Sequence, residues 1–133
     1  MKKSTLLKSI KNCVQACENL ATMCSHSADF KMCKDCLSRA IDCADSGMIL
    51  IMKLAEDDDQ LHRNLVKQYI SYCKTCAAVC SKYHNVIAEK AFHECNASIK
   101  ACEQYVSEHV HCNQYAFIPN SPAFLVGEKL VSF

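Results

Sequence analysis

The chain is 133 residues long, enough for one compact domain and too short for two. Its 15 lysines and arginines against 14 acids leave a net charge of +1, which supplies neither the basic surplus of a nucleic-acid binder nor the acidic surplus of a disordered chain. With two glycines, two prolines and no tryptophan, the composition disfavours a β-sandwich or barrel and points to an all-α fold.

The apolar pattern divides the chain into four amphipathic helices. The first covers about residues 4–27, with Leu6, Ile10, Cys13, Cys17, Leu20 and Cys24 at helical spacing. Residues 25–29 break the pattern, and Asp29 is the expected N-cap of the second helix. That helix continues through Cys33, Cys36, Ala40, Cys43 and Gly47 into the apolar run 48–54, and the acids of 56–59 form a solvated turn. The third helix carries His62, Val66, Tyr69, Cys73, Cys76, Cys80 and His84 on one stripe. After a turn near Asn85, the fourth presents Ala91, Cys95, Ser98, Cys102, Val106 and His109 on one face. Connections this short make antiparallel neighbours, so the expected architecture is an up-down-up-down four-helix bundle over residues 1–111. Residues 112–133 form a C-terminal extension with Phe117, Ile118, Phe124, Leu125, Val126 and Phe133. It is too apolar for a solvated tail and is expected to pack on the bundle or on a neighbouring subunit.

Twelve cysteines in a short chain suggest a secreted disulfide scaffold, but such scaffolds are loop-rich and this chain is not. After Met1, Lys2 and Lys3 the apolar run is only Leu6–Leu7, and Lys8 and Lys11 interrupt it before any cleavage site, so no signal peptide is expected. No stretch approaches a membrane span, since the run 48–54 is short and contains Lys53. The expectation is a cytoplasmic protein with reduced thiols, no membrane partner and no nucleic-acid partner.

Eleven of the cysteines share inward stripes. Cys13, Cys17 and Cys24 fall within roughly 40° of one another, and Cys33, Cys36 and Cys43 within about 80°. Cys73, Cys76 and Cys80 span about 60°, and Cys95 and Cys102 about 20°. Counting from the turns places Cys24, Cys33 and Cys80 nearest one end of the bundle. Cys17, Cys36, Cys76 and Cys95 come next, and Cys13, Cys43, Cys73 and Cys102 lie deepest. The cluster then occupies roughly 20 Å in one half of the bundle. The other half is plugged by Leu6, Leu7, Leu50, Leu54, Leu61 and Leu65.

One buried cysteine is an ordinary small hydrophobe, but eleven on a shared stripe fill a core poorly and suit a metal. Thiolates select Cu(I), Zn(II) or iron–sulfur clusters. Zn(II) on four thiolates carries a charge of about −2, so three such sites would place about −6 in a narrow core. Cu(I) accepts two or three thiolates, which can bridge ions, and a ratio near one leaves the cluster almost neutral. Pairs such as Cys13/Cys17 and Cys73/Cys76 can each clamp an ion from one helix. The C-x-x-C spacings alone also fit zinc ribbons and redox motifs, so an iron–sulfur or thiol redox protein and a zinc-stabilised structural module remain open. Here both motifs sit within helices and neither at a clear helix N-terminus.

Among the other side chains, His84 lies one turn beyond Cys80 near the end of the bundle, with His26 at the same end; either could take Cu(I) from a donor or chaperone and pass it inward. His62 and His109 read as a hydrogen-bonded core pair at the opposite end, and His93 as surface. Met23, Met48 and Met52 read as packing, and Tyr69 and Tyr105 as core aromatics whose hydroxyls reach the rim.

These features together resemble the copper storage proteins, a cysteine-rich four-helix-bundle family, in its cytosolic branch. The resemblance covers about residues 10–110. It rests on Cys13 and Cys17 around Val14-Gln15-Ala16, and on Cys33 and Cys36 leading to Cys43. It rests further on the run from Tyr72 through Cys73, Cys76 and Cys80 to His84, and on His93-Glu94-Cys95 leading to Cys102. It implies many Cu(I) ions held along the core by cysteines, loading through one end, no enzymatic activity, and usually a homo-oligomer, a tetramer of bundles. This chain departs from the fuller pattern at Leu20, Ala40 and Ser98, which occupy stripe positions; the implied capacity is on the order of ten ions. The apolar extension has no counterpart in the family pattern.

Overall fold

The structure is a computed structural model describing residues 1–26, 30–56 and 62–113, with the side chains of residues 30–33 and 109–113 outside that description. Its helices are α1 (Lys3–Ser25), α2 (Phe30–Leu54), α3 (Arg63–Cys80) and α4 (Val86–Asn113). Among the described residues there is no β-strand. The expected Asp29 cap, the acidic turn beyond Glu56, Leu61 and the extension beyond Asn113 lie outside the described residues.

Local chemistry sets the helix ends. At the close of α1, Ser25 Oγ donates to the Thr22 carbonyl at 3.0 Å and Thr22 Oγ1 to the Glu18 carbonyl at 3.0 Å. These bonds compete with the helical ladder in the last turn. Before α3, His62 adopts the left-handed conformation (φ 55°, ψ 47°), so it stands outside the helix it was expected to join. At the other end Ser81 Oγ donates to the Ala78 carbonyl at 2.7 Å, and the Tyr83 amide to the Cys80 carbonyl at 3.1 Å. These tight bonds turn the chain out of α3. Asn85 then caps α4, its Oδ1 accepting the Ala88 amide at 2.8 Å, with Glu89 in the first turn.

Packing joins α1 to α2, α2 to α3, α3 to α4 and α4 to α1, and among the described residues the two diagonal pairs do not approach at backbone distance. The helices therefore enclose a shared interior, as expected of an all-α four-helix bundle. At one level that interior is very tight. A Cβ added to Gly47 would lie 2.5 Å from Val14 Cγ2 and 3.0 Å from Tyr69 Cε1, so only glycine lets α2 sit this close to α1 and α3.

The enclosed core has two compositions. One part holds Leu6, Ile10, Leu50, Leu54, Val66 and Tyr69, all essentially inaccessible to solvent. Leu7 and Leu65 pack against it from partly buried positions. The other part is lined by ten buried cysteines, with Leu20, Ala40 and Ser98 filling the remaining stripe positions at zero exposure and small side chains such as Ala77, Ala88 and Ala91 packed around them.

Candidate metal centre

Helix periodicity aims the cysteines inward, and the packing of four helices brings them together. Cys13, Cys17, Cys24, Cys36, Cys43, Cys73, Cys76, Cys80, Cys95 and Cys102 are all buried with free thiols. Cys33 lies in the first turn of α2, nearer a helix N-terminus than the motif reading placed it, and its side chain is outside the described residues.

The sulfurs lie in direct contact. Cys43 Sγ is 3.6 Å from Cys73 Sγ and 4.0 Å from Cys13 Sγ, and Cys13 Sγ is 3.7 Å from Cys95 Sγ. Cys17 Sγ is 3.9 Å from both Cys76 and Cys95, and Cys76 Sγ is 4.0 Å from Cys80. Two four-sulfur groups result, Cys13/Cys43/Cys73/Cys95 and Cys17/Cys43/Cys76/Cys95, with the ligand atoms of each within 4.8 Å of one another. A tetrahedral ion with sulfur bonds of about 2.3 Å separates its ligands by roughly 3.8 Å, so these groups already have the dimensions of a metal site. Cys43 and Cys95 belong to both.

Counting residues from the turns had placed Cys43 and Cys95 in different layers, whereas the helices are offset so that these two thiols bridge the layers. Cys102, expected beside Cys13, Cys43 and Cys73, belongs to neither group. One turn before it on α4, the Ser98 hydroxyl is bonded to the Tyr69 hydroxyl at 2.8 Å, and this pair fills the space next to Cys13 and Cys73. Tyr69 itself is fully buried, and its hydroxyl ends in the core instead of reaching the rim; Tyr105 is buried too.

Proton affinities follow the contacts. Cys13 and Cys76 are pushed well below the ordinary thiol range, each chiefly by the Cys17 thiol bonded to it. Cys17, Cys43 and Cys95 are pushed up, with Cys13 the largest cause for each. A thiolate at Cys13 or Cys76 is thus favoured first by the S–H group of Cys17. Toward the α3–α4 connection, Cys80 and then burial act on Cys36 in opposite senses; with Cys24 also lowering it, its thiol is brought down to about 7. Cys80 is pushed up, first by Cys36. Burial is the main reason Cys102 is raised, and also the main reason Tyr69 is.

The histidines are placed differently from the stripe reading. Because α3 stops at Cys80, His84 lies exposed in the connection and not on the helix. It nevertheless lines a hollow of about 340 Å³ together with Cys80 and His93. His93 is exposed, as expected, and stacks edge-on against Phe92 at 5.6 Å. His26 is exposed and shares a separate hollow with Met23. The side chain of His109 is outside the described residues, and His62 sits ahead of α3 with its carbonyl accepting the Val66 amide at 3.1 Å. Met48 and Met52 do not pack in the core but are exposed on α2. Two features escaped sequence reasoning, the Tyr69–Ser98 bond and the close approach at Gly47. A glycine inside a helical apolar run was the available signal for the second.

A helical protein whose interior sulfurs stand this close together has the ligand set that a thiolate metal binder needs. The comparison with families is specific: the sequence model of the copper storage protein (Csp) family matches residues 1–116, and the chain belongs to that family. Comparison with curated proteins and with solved structures gave no match. Among the described residues no helix is long and apolar enough to cross a membrane.

Proposed function

We propose that this chain stores several Cu(I) ions in a reduced, cytoplasmic setting, with no catalytic role. The ligands in this reading are the inward thiolates of Cys13, Cys17, Cys24, Cys33, Cys36, Cys43, Cys73, Cys76, Cys80, Cys95 and Cys102. The observation that carries it is the pair of four-sulfur groups sharing Cys43 and Cys95. Shared thiolates bridge ions, and bridging is the mode by which Cu(I) reaches a copper-to-sulfur ratio near one.

Charge favours Cu(I) over Zn(II). Among the described residues no lysine, arginine or histidine side chain is buried, so no buried cation offsets thiolate charge. Four thiolates around Zn(II) leave about −2 uncompensated in the core, whereas Cu(I) in numbers close to the thiolates leaves almost none. Each ion bound displaces thiol protons, so loading releases protons near neutral pH.

In this reading the helices run up-down-up-down and the ions load from one end. Cys24 faces Cys36 and Cys36 faces Cys80 near the α3–α4 connection, while the Tyr69–Ser98 pair and the leucines close the other side. His84, in the hollow beside Cys80, is the first ligand met by an ion delivered by a copper donor or chaperone. Association of bundles into a homo-oligomer fits the same reading.

Anaerobic titration of fully reduced protein with Cu(I) against a competing chelator tests the proposal. Saturation on the order of ten ions is expected; saturation below about three, or preference for Zn(II), contradicts it. A brown protein as isolated would support the iron–sulfur alternative instead.

A further inference from the structure

The sulfur stripe of α4 is interrupted at one position. Cys95, Ser98 and Cys102 follow one another on the same face, all at zero exposure. Cys95 Sγ lies 3.7 Å from Cys13 Sγ and 3.9 Å from Cys17 Sγ. Cys102, one turn beyond Ser98, enters neither four-sulfur group and meets no other sulfur at hydrogen-bond distance among the described residues.

Contacts between helices show what surrounds Cys102 instead. The Met1 amine pairs with Glu108 while Cys13 meets Cys95, so α1 and α4 pass each other in opposite senses. Equal steps along the two helices, from Cys95 to Cys102 and from Cys13 back to Leu6, bring Cys102 level with Leu6. That level is about 10 Å from the one at which Cys13 and Cys95 meet. Leu6 belongs to the apolar half of the core, with Leu50 and Val66, and these side chains offer no ligand atom.

Between Cys95 and Cys102 stand two hydroxyls. Tyr69 Oη and Ser98 Oγ are 2.8 Å apart, and both side chains are wholly buried. The tyrosine ring is held from behind, since a Cβ at Gly47 would come 3.0 Å from its Cε1; the backbone of α2 lies against the ring. The Tyr69 hydroxyl also interacts with Cys13, at the edge of the first four-sulfur group. Parting the two hydroxyls would leave polar groups unsatisfied in the core, which holds the pair in place.

We propose that the Tyr69–Ser98 pair is the inner boundary of the copper cluster and limits its capacity, with Cys102 beyond the boundary as the last thiol to take an ion. This rests on the storage reading and adds an order of filling to it. Cu(I) requires at least two soft donors around one ion, and a hydroxyl oxygen is a poor substitute for a thiolate. A sulfur at position 98 would stand between Cys95 and Cys102 and carry the bridged cluster on to Cys102. The oxygen there is a hard donor already bonded to Tyr69, so the chain of bridging sulfurs stops at Cys95 and Cys13.

Stepwise loading of the full chain tests the order. With cysteine labelled with carbon-13 at Cβ, each signal moves when its thiol takes an ion during anaerobic titration with Cu(I). The Cys102 signal, assigned by its disappearance in Cys102→Ser, should keep its metal-free position until those of Cys13, Cys43, Cys73 and Cys95 have moved. Movement together with theirs, or before, would overturn the inference. A double-mutant cycle gives a second readout. Ser98→Cys should raise the number of Cu(I) ions held against a competing chelator by at least one. In that background Cys102→Ser should cost at least one ion more than it does in the parent. No gain from Ser98→Cys, or equal losses in the two backgrounds, would also overturn it. Saturation of the parent below about three ions would instead sink the storage reading itself.

Discussion

The two halves of the core are built from side chains of similar burial and opposite chemical consequence. The apolar half, with Leu6, Ile10, Leu50, Leu54 and Val66, excludes water by area and packing alone. The cysteine half is just as inaccessible, yet its sulfurs meet at 3.6–4.0 Å with thiols that compete for protons. Burial is therefore not what separates a structural core from a metal site. What separates them is whether the buried atoms converge as ligands. On the proposed function the division also separates tasks: one half holds the empty chain together, and the other holds ions.

The largest break in the comparison should come from the two shared sulfurs. Replacing both Cys43 and Cys95 with serine disrupts both four-sulfur groups at once, so Cu(I) capacity measured by chelator competition should fall by more than two ions. A loss of two or fewer would mean that the sulfurs act independently. The opposite perturbation is Leu50→Ala, in the apolar half. It should destabilise the empty protein by about 2–5 kcal/mol in chemical denaturation while leaving capacity unchanged below the unfolding transition. Together with it goes metal removal: stripping copper with a chelator should lower thermal stability but leave the helices formed, since binding stabilises only the folded state.

Smaller effects sharpen the boundary between the halves. Tyr69→Phe removes the 2.8 Å bond to Ser98 and leaves a buried hydroxyl without that partner, at a cost of about 1–3 kcal/mol in the empty protein. Smallest is a spectroscopic step. Cys36, brought down to about 7, is protonated below that pH and a thiolate above it, so ultraviolet thiolate absorbance of the metal-free protein should rise near pH 7. The step should be absent from Cys36→Ser.

How far the molecule could be read from its sequence differs from feature to feature. The four helices and their inward sulfur stripes were legible, because both follow from a period of 3.6 residues, which the chain displays openly. The register between helices was not. Cys43 and Cys95 join two groups because the helices are offset along their axes, and no count from the turns contains that offset. The placement of Cys102 outside both groups depends on a bond between Tyr69 and Ser98, residues 29 positions apart in the chain. His84 was misplaced for a local reason: Ser81 and Asn85 redirect the backbone by hydrogen bonds that override the apolar period. Met48 and Met52, expected as packing, are exposed because a helix apolar on both sides offers no single preferred face.

The central claim is that bridging thiolates hold several Cu(I) ions close together in the cysteine half. X-ray absorption at the copper edge, on partly loaded protein, measures this most directly. The account predicts a first shell of sulfur alone, two or three per ion, with a second copper close by. Isolated ions with no copper neighbour, or a first shell dominated by nitrogen or oxygen, would contradict it.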